Sequence, residues 1–154
     1  MTRRNLWYHK QYLDYLFSKS ALLKENDELL AHWARYLCVL VSGWLEISVY
    51  EIYSDYAQKR SSENVSRYVS RRLRKFQNPK MNNILSLTSD FSTEWKDMLQ
   101  QCTNGEIKDA VDSIVANRHL IAHGESCNIS YERLREYYGR AVKAIELLEN
   151  QCNA

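Results

Sequence analysis

A chain of 154 residues with a net charge of only +2 is long enough for one domain with a real core, and too nearly neutral for overall charge to define a partner. One Pro, four Gly and many Leu, Ala, Glu, Lys and Arg favour helix almost throughout. Four cysteines (Cys38, Cys102, Cys127, Cys152) include no C-x-x-C pair and no ligand-like spacing with the histidines, so no metal site or cofactor is expected. No leader is read: Arg3 and Arg4 are followed by Asn5, Trp7, His9 and Lys10 rather than an apolar run. The longest apolar stretch is interrupted at Ser42 and closed by Glu46, so a membrane span is not expected and a reduced, cytoplasmic setting is.

In chain order, Leu6, Tyr8 or His9, Leu13 and Leu16 or Phe17 recur at helical spacing and predict a first helix from Asn5 to Lys19. Asn26 or Asp27 caps the longest helix, whose stripe is Leu30, Trp33, Leu37, Leu40, Trp44 and Ile47. Gly43 within it permits a close backbone approach or is merely tolerated. Ser61 or Ser62 opens a third helix with Val65, Tyr68, Val69, Leu73 and Phe76 on its apolar side. Asn78-Pro79 starts a short helix through Leu87, since Pro is accepted in a first turn. After a polar break at Thr88 to Thr93, a short segment carries Trp95, Met98 and Leu99, and Thr103-Asn104-Gly105 turns the chain. A helix with Ile107, Ala110, Val111, Ile114 and Val115 follows. Ser130 caps the last one, with Leu134, Tyr137 or Tyr138, Ala141, Ile145 and Leu148 inward and the mixed charges of Glu132 to Glu149 in solvent. No repeat or linker divides residues 1–154. The expected fold is a single-domain, all-α antiparallel bundle with two long helices and several shorter ones.

Two features carry chemistry. Between Lys59 and Lys80 the cations Lys59, Arg60, Arg67, Arg71, Arg72, Arg74, Lys75 and Lys80 face Glu63 alone, the footprint of an anion-binding surface or an ordinary solvated helix face. The second is Asn117-Arg118-His119-Leu120-Ile121-Ala122-His123-Gly124. Arg holds phosphate oxygens with a planar fork of donors, and His titrates near neutrality and moves protons. Arg3 and Arg4 stand at the same kind of spacing from His9. The difference is context, because Arg118 and His123 interrupt an apolar helix just before Gly124, a natural left-handed stop. Five residues separate the two, so they diverge by about 140° on a straight helix. They meet on one phosphate only if the helix unwinds at Ala122–His123 or if a two-fold axis brings in a second copy. His119 points elsewhere on the helix, and Glu46 on the long helix is a candidate to orient Arg118 or His123.

The stretch Ile114 to Gly124, followed by Ser130, Leu134 and Tyr137-Tyr138, resembles the HEPN superfamily, within it the RiboL-PSP-HEPN group. Asn78-Pro79 before a short helix and Leu45-Glu46 in the long early helix fit the same pattern. The hallmark is an Arg, a polar residue and a His four to six positions beyond the Arg, here Arg118, His119 and His123. That resemblance implies a homodimeric helical bundle and, in many members, a metal-independent endoribonuclease of toxin–antitoxin, antiphage or RNA-processing systems. It makes Arg118 and His123 the catalytic pair and a neutralising protein the natural partner of a toxin; beside it, Asn117, His119 and Glu46 are the candidate supporting residues, and the basic stretch Arg67, Arg71, Arg72, Arg74 and Lys75 is the candidate path for RNA. The chain departs at His119, where Asn is commoner, and at Glu125, where some toxin relatives carry a regulatory Tyr. The alternative is a non-catalytic module that binds RNA, nucleotide or a partner protein through the same cleft.

Overall fold

In the computed structural model, residues 3–154 are described, with side chains from Asn5 onward, and they form seven α-helices, one short 3₁₀ segment and no strand. The helices are α1 (Arg3–Ser18), α2 (Asp27–Arg60), α3 (Glu63–Leu73), α4 (Met81–Phe91), α5 (Thr93–Thr103), α6 (Glu106–Ala122) and α7 (Tyr131–Asn153). The 3₁₀ segment, Lys19–Leu23, joins α1 to α2.

Local sequence explains most starts. The side chains of Asn26, Ser62, Ser92 and Ser130 accept from Leu29, Val65, Trp95 and Arg133 N–H respectively, each satisfying one orphan donor of a first turn. Asp27 and Glu28 at the start of α2, with Lys59 and Arg60 at its end, complement the helix dipole. Helix α4 differs. Lys80 makes no side-chain cap, and the Met81 N–H instead donates to the Asp112 carboxylate of α6 at 2.9 Å. The cap is therefore tertiary, and α4 begins two residues beyond the buried Pro79, with Asn78 left-handed at φ 59°.

Helix α2 is the axis around which the rest packs. Helix α1 runs antiparallel to it: the Trp44 and Trp33 indoles donate to the Leu6 and Leu16 carbonyls at 3.5 and 3.2 Å. Helix α6 is antiparallel too, with the Cys38 thiol against the Ile114 carbonyl at 3.4 Å. Helix α7 runs parallel to α2, with Tyr138 edge-on to Trp44, and antiparallel to α6, whose first residue Glu106 lies 3.8 Å from Arg140. Helices α4 and α5 form a hairpin tied to α7 where Gln151 donates to the Trp95 carbonyl at 3.0 Å. One consequence positions the site: the end of α6, the start of α2 and the start of α7 share one end of the bundle.

Several sequence expectations are corrected by packing. Thr88 does not break α4, because its hydroxyl is satisfied inside the core by the Ile84 carbonyl and the Tyr53 hydroxyl at 2.8 and 2.6 Å. The break shrinks to Ser92, which ends α4 and caps α5. The buried face of α2 is Ala34, Leu37, Cys38, Val41, Leu45, Val49 and Ile52, and Ile47 faces solvent. Gly43 is exposed, and a Cβ there would meet nothing within 4 Å, so it is tolerated and admits no close approach within the chain. Val65, Tyr68 and Met98 are exposed, and Phe76 lies beyond the end of α3, whose buried residues are Ser66 and Leu73. Glu149, expected in solvent, is buried.

By length and composition α2 alone qualifies as a membrane-crossing helix among the described residues, since a window of sufficient hydropathy bridges Ser42 and Glu46. Two thirds of that window (67%) is buried by the surrounding helices, as befits the central helix of a bundle.

Candidate active site

Helix α6 ends by a left-handed glycine stop. His123 leaves helical geometry at φ −94°, ψ 8°, and Gly124 follows at φ 68°. The Gly124 N–H then reaches back to Ile121 O at 3.1 Å and the Glu125 N–H to Leu120 O at 2.9 Å. Two otherwise orphaned carbonyls are thereby satisfied, the paired bonds of a Schellman motif. The expectation that Gly124 terminates this helix holds.

Arg118 continues, one turn on, the inward face that buries Ile114 and Val115 at 0% and 3% exposure, yet Arg118 is itself exposed. Arg118 sits at the margin of that covered face, since Ile121 beyond it is still half-buried against the core. Among the described residues Arg118 makes no ion pair or side-chain hydrogen bond, and its guanidinium is free for an external anion.

His123 stays against the last turn of α6. Its N–H still bonds the His119 carbonyl at 3.1 Å, and the two imidazoles stand edge to face with ring centres 4.3 Å apart, an interplanar angle of 60° and both rings exposed. This excludes the first of the two sequence-level routes to convergence. The helix end does not unwind His123 onto Arg118, and within one chain the close partner of His123 is His119. His119 was expected to point elsewhere; the i, i+4 spacing of the two histidines was the legible signal, because residues four apart share a helix face.

Asn117 is half-buried and bonded on both sides. Its amide donates to Ser113 O at 2.8 Å, and its Oδ1 lies 3.2 Å from the Cys127 thiol. Arg35 donates to the Cys127 carbonyl at 3.4 Å, and the Tyr131 hydroxyl donates to Phe17 O at 2.9 Å. Asn117 thus pins the 124–130 loop to α6, and Arg35 pins it to α2. Nothing in the local sequence around Arg35 marks that role. Cys38, on the adjoining stretch of α2, is buried, and desolvation followed by the neighbouring Cys127 pushes its thiol up to about 12.

Glu46 does not reach the motif of its own chain. It lies eight residues beyond Cys38 on α2, while His123 lies nine beyond Ile114 in the opposite direction, a separation of roughly 25 Å at 1.5 Å per residue. Its surroundings are Ile47, Tyr50, Leu73, Arg74 and Phe76, where the end of α3 meets α2. The expected support of Arg118 or His123 by Glu46 is therefore not realised within one protomer.

Arg67, Arg71, Arg72, Arg74 and Lys75 are all exposed, and none forms an ion pair among the described residues. The last four, with the exposed Tyr68, line one shallow open groove at the end of α3. A separate small pocket of about 80 Å³ lies at the far end of the bundle between α2 and α7, lined by Leu6, Glu51, Asp55 and Cys152 among others. Burial raises the Glu51 carboxyl there above its ordinary range. It contains none of the motif residues.

The architecture defines a helical-bundle protein in which Arg118, His119 and His123 are exposed together near the end of one helix. The RiboL-PSP-HEPN family model matches residues 3–154, and the chain belongs to that family. HEPN domains are often ribonucleases, and they commonly bind RNA and dimerise. No curated protein and no solved structure matches the chain.

Proposed function

We propose that this protein is a metal-independent endoribonuclease of the HEPN type, acting as a cytoplasmic homodimer on RNA in a toxin–antitoxin or antiphage setting, with a neutralising protein as partner. The observation that carries the reading is that Arg118, His119 and His123 are all exposed at one helix end while Arg118 makes no ion pair or side-chain hydrogen bond among the described residues. A guanidinium kept only for structure would be expected to meet a carboxylate.

The chemistry follows from the groups. One imidazole takes the proton of a ribose 2′-hydroxyl as its oxygen attacks the adjacent phosphorus. A second proton carrier protonates the departing 5′-oxygen as the P–O5′ bond breaks. Arg118 neutralises the charge that gathers on the nonbridging oxygens. His123 is one proton carrier, and His119, in ring contact with it, stands where a second is needed. Because Arg118 and His123 diverge within one chain, the complete site combines groups of two protomers. An exposed apolar strip on α2 supports the dimer. Leu29 (49% exposed), Tyr36 (47%), Val39 (37%) and Ile47 (42%) run along one side with Gly43, starting at the motif end of the bundle. Exposed apolar side chains gathered on one helix face mark an interface. The unpaired cations of α3 extend the RNA path, since phosphates recruit Lys and Arg regardless of sequence.

The test is cleavage of RNA in EDTA, with the products analysed for 2′,3′-cyclic phosphate and 5′-hydroxyl ends. Arg118→Ala and His123→Ala should each lower the rate at least ~10²-fold with helical circular dichroism unchanged. Cleavage that needs Mg²⁺, or that survives both substitutions, refutes the mechanism. RNA binding without cleavage would favour the non-catalytic module.

A further inference from the structure

The contact between His119 and His123 suits a second kind of ligand. We propose that the pair is a chelating site for a borderline divalent transition ion (Zn²⁺, Ni²⁺ or Cu²⁺), and that occupancy switches off the proton chemistry of this helix end. The metal is an inhibitor here and has no part in catalysis.

Three observations support the site. First, the rings are 4.3 Å apart between centres and inclined at 60°, neither stacked flat nor splayed. Two imidazole nitrogens held at ~2.1 Å from one ion put the ring centres about 4.5–5 Å apart, so a small opening by side-chain rotation reaches chelating geometry. Second, both imidazoles are exposed and neither makes a side-chain hydrogen bond among the described residues, so lone pairs are available and water can fill the remaining coordination positions. Third, the backbone fixes the spacing. His119 lies in the last turn of α6 and His123 is its C-cap, held by the 3.1 Å bond to His119 O and by the Gly124 stop. That end of a helix carries negative partial charge, which favours a cation. Imidazole ligands select zinc, nickel and copper over magnesium or calcium.

A bound ion occupies a nitrogen lone pair on each ring. Neither ring then has that nitrogen free to accept a proton, so inhibition of RNA cleavage follows if the proposed nuclease reading holds. The binding itself does not depend on that reading, and the experiment separates the two.

The untagged 154-residue chain is titrated calorimetrically with Ni²⁺ and with Zn²⁺ in the absence of RNA, beside His119→Ala, His123→Ala and His32→Ala. Saturable binding at no more than one ion per chain is expected. Each motif substitution should weaken it at least tenfold, and His32→Ala, on the exposed face of α2, should leave it unchanged. Circular dichroism checks that each variant keeps its helical content. Binding that survives both motif substitutions, or that is lost with His32→Ala, overturns the site. In the second arm, Zn²⁺ added to the RNA cleavage assay should stop the reaction and EDTA should restore it. Metal binding without inhibition overturns the switch, while a protein inert on RNA yet binding Ni²⁺ through His119 and His123 keeps the site and sinks only the nuclease reading.

Discussion

Replacing Gly124 by Ala tests how the helix end that presents the motif is built. A Cβ at this position would meet nothing within 4 Å, so there is no steric clash with the rest of the protein. What remains is the backbone conformation, φ 68°, in which an L-residue's own Cβ crowds the following carbonyl. That costs roughly 1–2 kcal/mol. Escaping the strain by leaving the left-handed region would sacrifice the bonds from Gly124 N–H to Ile121 O and from Glu125 N–H to Leu120 O, so neither route is free. With a urea slope of ~2 kcal/mol/M, the unfolding midpoint should fall by roughly 0.5–1 M with the slope unchanged. The thermal midpoint should fall by about 2–8 °C. Gly124→Asn should lose less, because Asn tolerates this conformation. Gly139 supplies the opposite control. It also has open space around it, but it lies inside α7 with no positive φ, and Gly139→Ala should raise stability by about 0.5–1 kcal/mol through helix propensity. The same substitution in equally open space should therefore change sign with φ alone. Equilibrium unfolding followed by circular dichroism reads both variants. An unchanged or raised midpoint for Gly124→Ala would show that the left-handed stop does not hold this helix end.

The remaining expectations concern surfaces and thiols. RNA affinity should fall steeply with salt, and the Arg71→Ala/Arg72→Ala/Arg74→Ala variant should lower the slope of log K against log[salt] by about 2, at ~0.7 per lost phosphate contact; an unchanged slope would reduce α3 to a solvated face. Sedimentation should find a dimer that Tyr36→Arg together with Val39→Glu converts to monomer, since both residues lie on the exposed apolar strip of α2; a wild-type monomer at micromolar concentration would remove the basis for a composite site. A thiol reagent should modify one cysteine rapidly in the native protein and four after unfolding. Cys102 is the exposed one, while desolvation holds the buried Cys38 and Cys152 thiols up to about 12 and keeps them protonated. The rapid phase should vanish in Cys102→Ser.

Much of the fold was legible because its signals are local. Asn26, Ser62 and Ser130 cap their helices through bonds that span three residues, and Gly124 stops α6 through a backbone angle that glycine alone adopts cheaply. The motif was visible for the same reason, since Arg118 and His123 interrupt an apolar helix at its end. Tertiary structure decided the rest. Thr88 reads as a break until Tyr53, thirty-five residues away, satisfies its hydroxyl inside the core. The Met81 end of α4 has no cap of its own until Asp112 arrives from α6. Which side of α2 is inside depended on where α1, α6 and α7 settle, and Ile47 was placed wrongly because a long, largely apolar helix offers more than one plausible stripe. Glu46 and Arg118 were associated by type, but the antiparallel packing of α2 against α6 carries them to different levels of the bundle. The pairing of His119 with His123 lay in the spacing all along. Only the geometry of the helix end, with His123 still bonded to the turn before it, determined that the two rings meet.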